Sequence, residues 1–133
     1  DLTDEQFKVR HRYLPESDSF GITLSNRAGM MEKAEYVIPS LKEPMKKPCY
    51  YPHYTFFMDY TGEVLVCSHD WGKKLVVGNL KNESFIDIWL SKKFSFARKS
   101  LFKANRNFAP CNKCDVAGTY MGSDHAQAWQ EVK

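Results

Sequence analysis

The sequence predicts a small α+β domain: a β-hairpin extended by a third strand, then one or two helices, then a C-x2-C loop. Three observations predict it. An aromatic-rich run, Tyr54 to Tyr60, meets a Thr61-Gly62 turn and returns as Glu63 to Cys67. A serine at Ser84 opens a segment with apolar residues at helical spacing. Four cysteines, Cys49, Cys67, Cys111 and Cys114, bracket these elements, the last two as the C-x2-C pair.

With 133 residues the chain has enough material for one modest domain. Hydrophobic residues are 43% and aromatics 14%, which supplies a core and argues against general disorder. Nineteen basic against 16 acidic residues leave a net charge of +3, too mild to argue for a nucleic-acid partner. No apolar run approaches the roughly 18 residues of a membrane span. There is neither a secretory apolar region nor an initiating methionine, so a fragment of a longer, cytoplasmic protein is expected.

Residues 1–12 read as a short polar helix capped by Thr3 or Asp4, and 19–25 as an alternating strand. The segment "NRAGM" reads as loop. Pro39, Pro44 and Pro48 forbid a long helix across 31–48, which is predicted to be an irregular surface connection. In the hairpin, Gly62 is free to take positive φ. Alternation puts Leu65 and Cys67 on one face of the return strand and Val64 and Val66 on the other. Residues 74–80, "KLVVGNL", form the third strand, ending in a Gly78-Asn79 turn. Ser84-x-x-Asp87 resembles a capping box, with Phe85, Ile88 and Trp89 on one apolar face. Ser91 interrupts. A second helix then turns Phe94, Ala97 and Leu101 inward and its lysines and Arg98 outward to solvent. The tail contains a short helix from Ser123.

The cysteine spacing is C-x12-G-x4-C for Cys49, Gly62 and Cys67, then x43, then C-x2-C. A hairpin turning near Gly62 carries Cys67 back towards Cys49. A C-x2-C loop sets two sulfurs on one side of a turn. If the helices fold back, four thiolates converge. Tetrahedral S4 sites indicate zinc or iron–sulfur. Two disulfides are the secreted reading, and the missing secretion signal favours a metal centre. Zinc ribbons use two short knuckles and only one is present here; a cubane cluster accepts ligands from wider-spaced segments. Among the four histidines, His69 reads as a polar neighbour of the site, and His53 as a packing residue or a donor to a sulfur. Asp70 and Trp71 read as turn and packing residues, Trp89 as core, and Lys46-Lys47 and Lys92-Lys93 as solvated.

These residues together resemble a family. C-x12-G-x4-C followed by C-x2-C is similar to the SPASM/Twitch region of radical S-adenosylmethionine enzymes. "PCYYPHYTFFMDYTGEVLVCSHD" resembles the segment that brings in the first two cluster ligands, "VVGNLKNESFIDIWLS" the turn and tryptophan-containing helix after it, and "CNKC" the closing pair. "SNRAG" resembles the loop that leaves the catalytic barrel. The resemblance runs over roughly residues 20–118.

The departures define what it implies. A full SPASM region continues C-x2-C-x5-C-x3-C, and the two further positions are Tyr120 and Asp124 here. The resemblance therefore implies the shorter Twitch type, with one auxiliary [4Fe-4S] cluster held by Cys49, Cys67, Cys111 and Cys114. The radical-generating C-x3-C-x2-C motif is absent, so this chain alone is not expected to be catalytic, and S-adenosylmethionine belongs to the missing barrel, present in cis or in trans. Within the family such clusters serve electron transfer or structural support during oxidation of a peptide or small molecule. The implied division is 1–48 as connecting segment, 49–118 as cluster-binding domain and 119–133 as tail. A structural zinc-binding interaction domain stands as the alternative, zinc also being able to fill an emptied S4 site. A thiol–disulfide protein lacks its βαβ setting around Cys111 and Cys114.

Overall fold

The computed structural model describes residues 3–5, 24–33, 37–119 and 121–131. Most of the helix expected over 1–12 and most of the strand expected over 19–25 lie outside them; Asp4 and Glu5, which are described, are helical. Leu24 is described, and it makes a single parallel bridge to Val37.

The element order is a helical turn α1 (Tyr51–Tyr54), strands β1 (Phe57–Met58), β2 (Glu63–Leu65) and β3 (Val76–Asn79), then helices α2 (Phe85–Trp89), α3 (Lys92–Phe102) and α4 (Ser123–Glu131). The three strands form one antiparallel sheet in the order β1-β2-β3. Phe57 faces Leu65 and Met58 faces Val64, while on the other side of β2 Val64 faces Gly78. The α+β class and its third strand are as expected.

The first strand is shorter than the aromatic run suggested. Pro52 in the first turn of α1 favours helical backbone, and Thr55 closes the turn through its amide and hydroxyl on the Tyr51 carbonyl. At the far end Asp59 stops the strand: its Oδ1 accepts from the amides of Thr61 and Glu63 at 2.8 and 3.1 Å. Gly62 takes φ +87° in the turn, as predicted. Lys73, from the loop after β2, pairs with both Asp59 and Glu63 and holds the Asp59 carboxyl well below the usual carboxylate range, helped by the Thr61 hydroxyl.

The expected alternation along the return strand does not hold. Val64, Leu65 and Val66 are all buried, because β2 is the central strand and an irregularity between Val64 and Leu65 disturbs its register. Gly78 and Asn79 close β3, and the expected turn opens at Asn79, whose carbonyl accepts from the amides of Asn82 and Glu83, while Gly78 lies within the strand. Gly78 is required there because Ile88 of α2 packs straight onto it. Ser84 and Ser91 cap α2 and α3, accepting from the amides of Asp87 and Phe94. Phe94, Ala97 and Leu101 point inward and are fully buried, as expected. Arg98 does not face solvent: it is 3% exposed, held between Trp89, Phe94 and Trp129 with its centre 4.0, 4.2 and 4.6 Å from their rings.

A Cβ added at Gly78 would lie 2.6 Å from Ile88 Cγ1, and Ile88 is fully buried with no room to retreat. Gly78→Ala is expected to destabilise the fold by about 1–3 kcal/mol, read as a lower urea midpoint at unchanged slope.

Candidate metal centre

Each cysteine is positioned by backbone that the sequence pins locally. Cys49 enters through its amide on the Leu101 carbonyl at 3.1 Å, and Tyr50 follows with its amide on the Gly118 carbonyl at 2.8 Å. Gly118 adopts φ +70°, and a side chain there would collide with the Cys49 thiol. Cys67 leaves β2 into a tight loop organised by Asp70, which is fully buried. The two Asp70 oxygens accept from the amides of Lys74 and Leu75, each at 2.8 Å. The C-x2-C turn closes through the Asn112 amide on the Phe108 carbonyl at 2.9 Å.

The four thiols are neighbours. Cys49, Cys111 and Cys114 are buried and Cys67 half-buried, and none is in a disulfide. Burial pushes every one of the four up in pKa, Cys67 to about 12, and each of Cys67, Cys111 and Cys114 feels the charge of at least one other thiol. Three of them accept a backbone N–H from two residues onward: Cys49 from Tyr51, Cys67 from His69 and Cys114 from Val116. Among the described residues, no three histidine, cysteine or acidic side chains are drawn tightly enough around one point for a single metal ion.

Arg106 is the cation of the site and is 2% exposed. Its guanidinium donates to the carbonyls of Lys47 and Pro48 at 2.8 and 2.9 Å, just before Cys49, and to those of Val116 and Ala117, just after Cys114. Its charge opposes the burial effect at Cys49, Cys111 and Cys114. Nothing in the sequence marks Arg106 out, since it sits in the polar stretch "NRNFAP" that reads as a helix end. A second missed group is Asn26, fully buried, whose Nδ2 donates to the Lys113 carbonyl at 3.1 Å inside the C-x2-C turn. Ser25 and the Asn26 amide both reach Asp115, so the "SNRAG" loop docks on the turn between Cys111 and Asp115.

The histidines fall out differently. His69 stacks on Tyr51 with ring centres 5.7 Å apart. His53 is 1% exposed and makes no hydrogen bond through either ring nitrogen, so it donates to no sulfur; burial and Arg98 lower its pKa to about 4. Asp70 is the turn residue expected, whereas Trp71 is exposed under the Arg27 guanidinium. Trp89 is half-buried in an aromatic group with Phe85 and Trp129. Asp124 is exposed in α4 and accepts from the Ser123 hydroxyl; Tyr120 lies outside the described residues.

The family model for SPASM, an iron–sulfur cluster-binding domain, matches residues 49–115. The chain belongs to this family. It is also 32% identical over 104 residues to the S-adenosyl-L-methionine-dependent 2-deoxy-scyllo-inosamine dehydrogenase of Niallia circulans, covering 77% of this chain and 38% of that protein. Its structure resembles the crystal structure of BtrN in complex with AdoMet and 2-DOIA, with TM-score 0.59 and 28% identity over 77% of this chain and 39% of that one. The chain thus spans under two-fifths of the length of these relatives. Among the described residues, no helix is long and apolar enough to cross a membrane.

Two outcomes follow for the SPASM domain. Arg106→Met strands four carbonyls and is expected to destabilise the fold by about 3 kcal/mol or more, with Arg106→Lys recovering only part, as a urea titration would show. In metal-free protein the raised thiols make the fold bind more protons than the unfolded chain. Their stabilising share is whole below the unfolded thiol value of about 8.5 and is lost as pH rises towards the folded value. Melting temperature is expected to fall between pH 8.5 and about 12 for the Cys67 share, and to fall less in Cys67→Ala.

Proposed function

We propose that Cys49, Cys67, Cys111 and Cys114 together hold one auxiliary [4Fe-4S] cluster, as the shorter Twitch type. The single observation that carries this reading is four mutually close thiols, three buried and one half-buried, without a disulfide, in a chain of the SPASM family. The N–H groups of Tyr51, His69 and Val116 and the charge of Arg106 are the partners that thiolates need.

The segments divide accordingly: residues 1–48 connect, 49–118 hold the cluster and 119–133 form a tail. The whole protein would be an S-adenosylmethionine-dependent oxidoreductase acting on a small polar substrate, by likeness to the Niallia circulans dehydrogenase. Its radical-generating barrel supplies the S-adenosylmethionine site. Dehydrogenation removes two electrons, and abstraction of one hydrogen atom accounts for only one. When bound, a cluster held by these cysteines would supply a one-electron acceptor for the other, iron–sulfur potentials spanning ~−700 to +450 mV. Four cysteine ligands leave no iron open to substrate, which favours electron transfer or structural support over substrate ligation. On the protein side, Arg106 offsets negative charge, Asp70 fixes the Cys67 loop and the half-buried Cys67 marks the side nearest solvent.

Anaerobic reconstitution with iron and sulfide is expected to yield about four irons and four sulfides per chain, with a brown absorbance bleached by dithionite. Alanine at Cys49, Cys67, Cys111 or Cys114 should each sharply lower iron content and melting temperature. Substitution of Tyr120 or Asp124 should leave both unchanged. Stoichiometric zinc with no cluster formed would refute the assignment.

A further inference from the structure

Tyr51 and His69 follow Cys49 and Cys67 at the same short interval, and each gives its backbone N–H to its own cysteine. Their side chains then meet. The two rings stack with centres 5.7 Å apart and planes 20° from parallel. Tyr51 packs against the small core of Cys49, Leu101 and Cys111. Together with Ser68, the residue after Cys67, it also borders a surface depression of about 310 Å³ whose other walls are Thr55, Phe56 and Phe57. Solvent therefore comes as far as Tyr51 and Ser68, and the thiols begin one residue or one packing contact further in. His69 is half-buried, and its Nδ1 is buried without a hydrogen-bond partner. What the imidazole does contribute is its face, laid on the Tyr51 ring.

We infer that the Tyr51–His69 ring pair is a cover over the edge of the cysteine site nearest solvent. The two are positioning residues: they hold the Cys67 loop against the Cys49 segment and keep water off the sulfurs. The cover is a property of the chain itself, and only its redox consequence rests on the cluster proposed above. Reduction adds negative charge to a site that is already anionic with four thiolates. Water stabilises the more highly charged form more strongly, and iron–sulfur potentials follow solvent exposure and the shell around the site. A closed cover therefore holds the potential low, and an open one raises it.

The test uses the whole chain with Tyr51→Ala, Tyr51→Phe, His69→Ala or His69→Phe, and reads it in two states. In the metal-free state, alkylation of Cys67 and of Cys114 by iodoacetamide at one fixed pH is followed by peptide mass spectrometry. Both alanine variants are expected to label Cys67 roughly two- to tenfold faster, the worth of one ring contact, with Cys114 unchanged. Both phenylalanine variants, which keep a ring, should label at the original rate. After anaerobic reconstitution, a mediated redox titration of the visible absorbance should give a higher potential in the alanine variants and an unchanged one in the phenylalanine variants. His69 is the more peripheral of the two, so His69→Ala keeps the test open if Tyr51→Ala fails to fold. Faster Cys67 labelling in chains that form no cluster would support the cover and sink the cluster assignment. Unchanged Cys67 labelling in the alanine variants, equal acceleration at Cys114, or a reconstituted alanine variant with the original potential would overturn the cover.

Discussion

The arrangement of the cysteines depends on the buried guanidinium of Arg106. Cys49 and Cys114 are far apart in sequence, and the backbones of their segments meet directly through the Tyr50 amide on the Gly118 carbonyl. Arg106 also joins them by donating to Lys47 and Pro48 on one side and to Val116 and Ala117 on the other. Buried carbonyls in irregular backbone need donors, and here a planar fork supplies them at once. The same group places a positive charge beside thiols that burial holds protonated, and so opposes part of that effect. One residue therefore meets a backbone requirement and an electrostatic one.

The sheet serves this arrangement by returning Cys67. Its strands are short, and the turn is fixed by Asp59 and Gly62 and tied by Lys73 to the loop beyond Cys67. Asp70 then fixes that loop from within, through two amide bonds to a fully buried carboxylate. The hydrophobic core of Val64, Val66, Val77, Ile88 and Phe94 lies under the sheet and α2. A second, smaller core joins Cys49, Leu101 and Cys111. The ligand positions proposed at Cys49 and Cys111 are thus also core positions, so folding and loading of the site would be coupled.

Legibility followed the range of the interaction. The serine caps at Ser84 and Ser91, the Gly62 turn and the inward face of α3 rest on local geometry, and the sequence shows them directly. The cysteine pattern was legible because its spacing survives in any fold that closes the hairpin. Strand ends were not: Pro52 and Asp59 trimmed the first strand by side-chain and backbone bonds that alternation does not register. The two arginines were misread or missed for one reason. Charge predicts exposure by default, and the aromatic surroundings of Arg98 and the four carbonyls around Arg106 come from segments distant in sequence. Gly78 was taken for a turn because glycine signals turns locally, whereas its cause is the approach of Ile88.

The comparison of the two arginines bears on how the site is tuned. Both are almost fully buried, yet Arg106 has all its bonded neighbours supplied by carbonyls and lies among thiols, while Arg98 lies among rings and keeps one nitrogen unmet. A buried cation is tolerated where something negative or strongly polar faces it. At Arg106 that role falls to backbone oxygen, and on thiolate formation to sulfur as well. Every step that makes the cysteines more negative therefore strengthens their attraction to Arg106, which offsets part of the desolvation cost that keeps them protonated. Under the proposed ligation, four thiolates and the buried Arg106 would favour one another, each lowering the cost of burying the other.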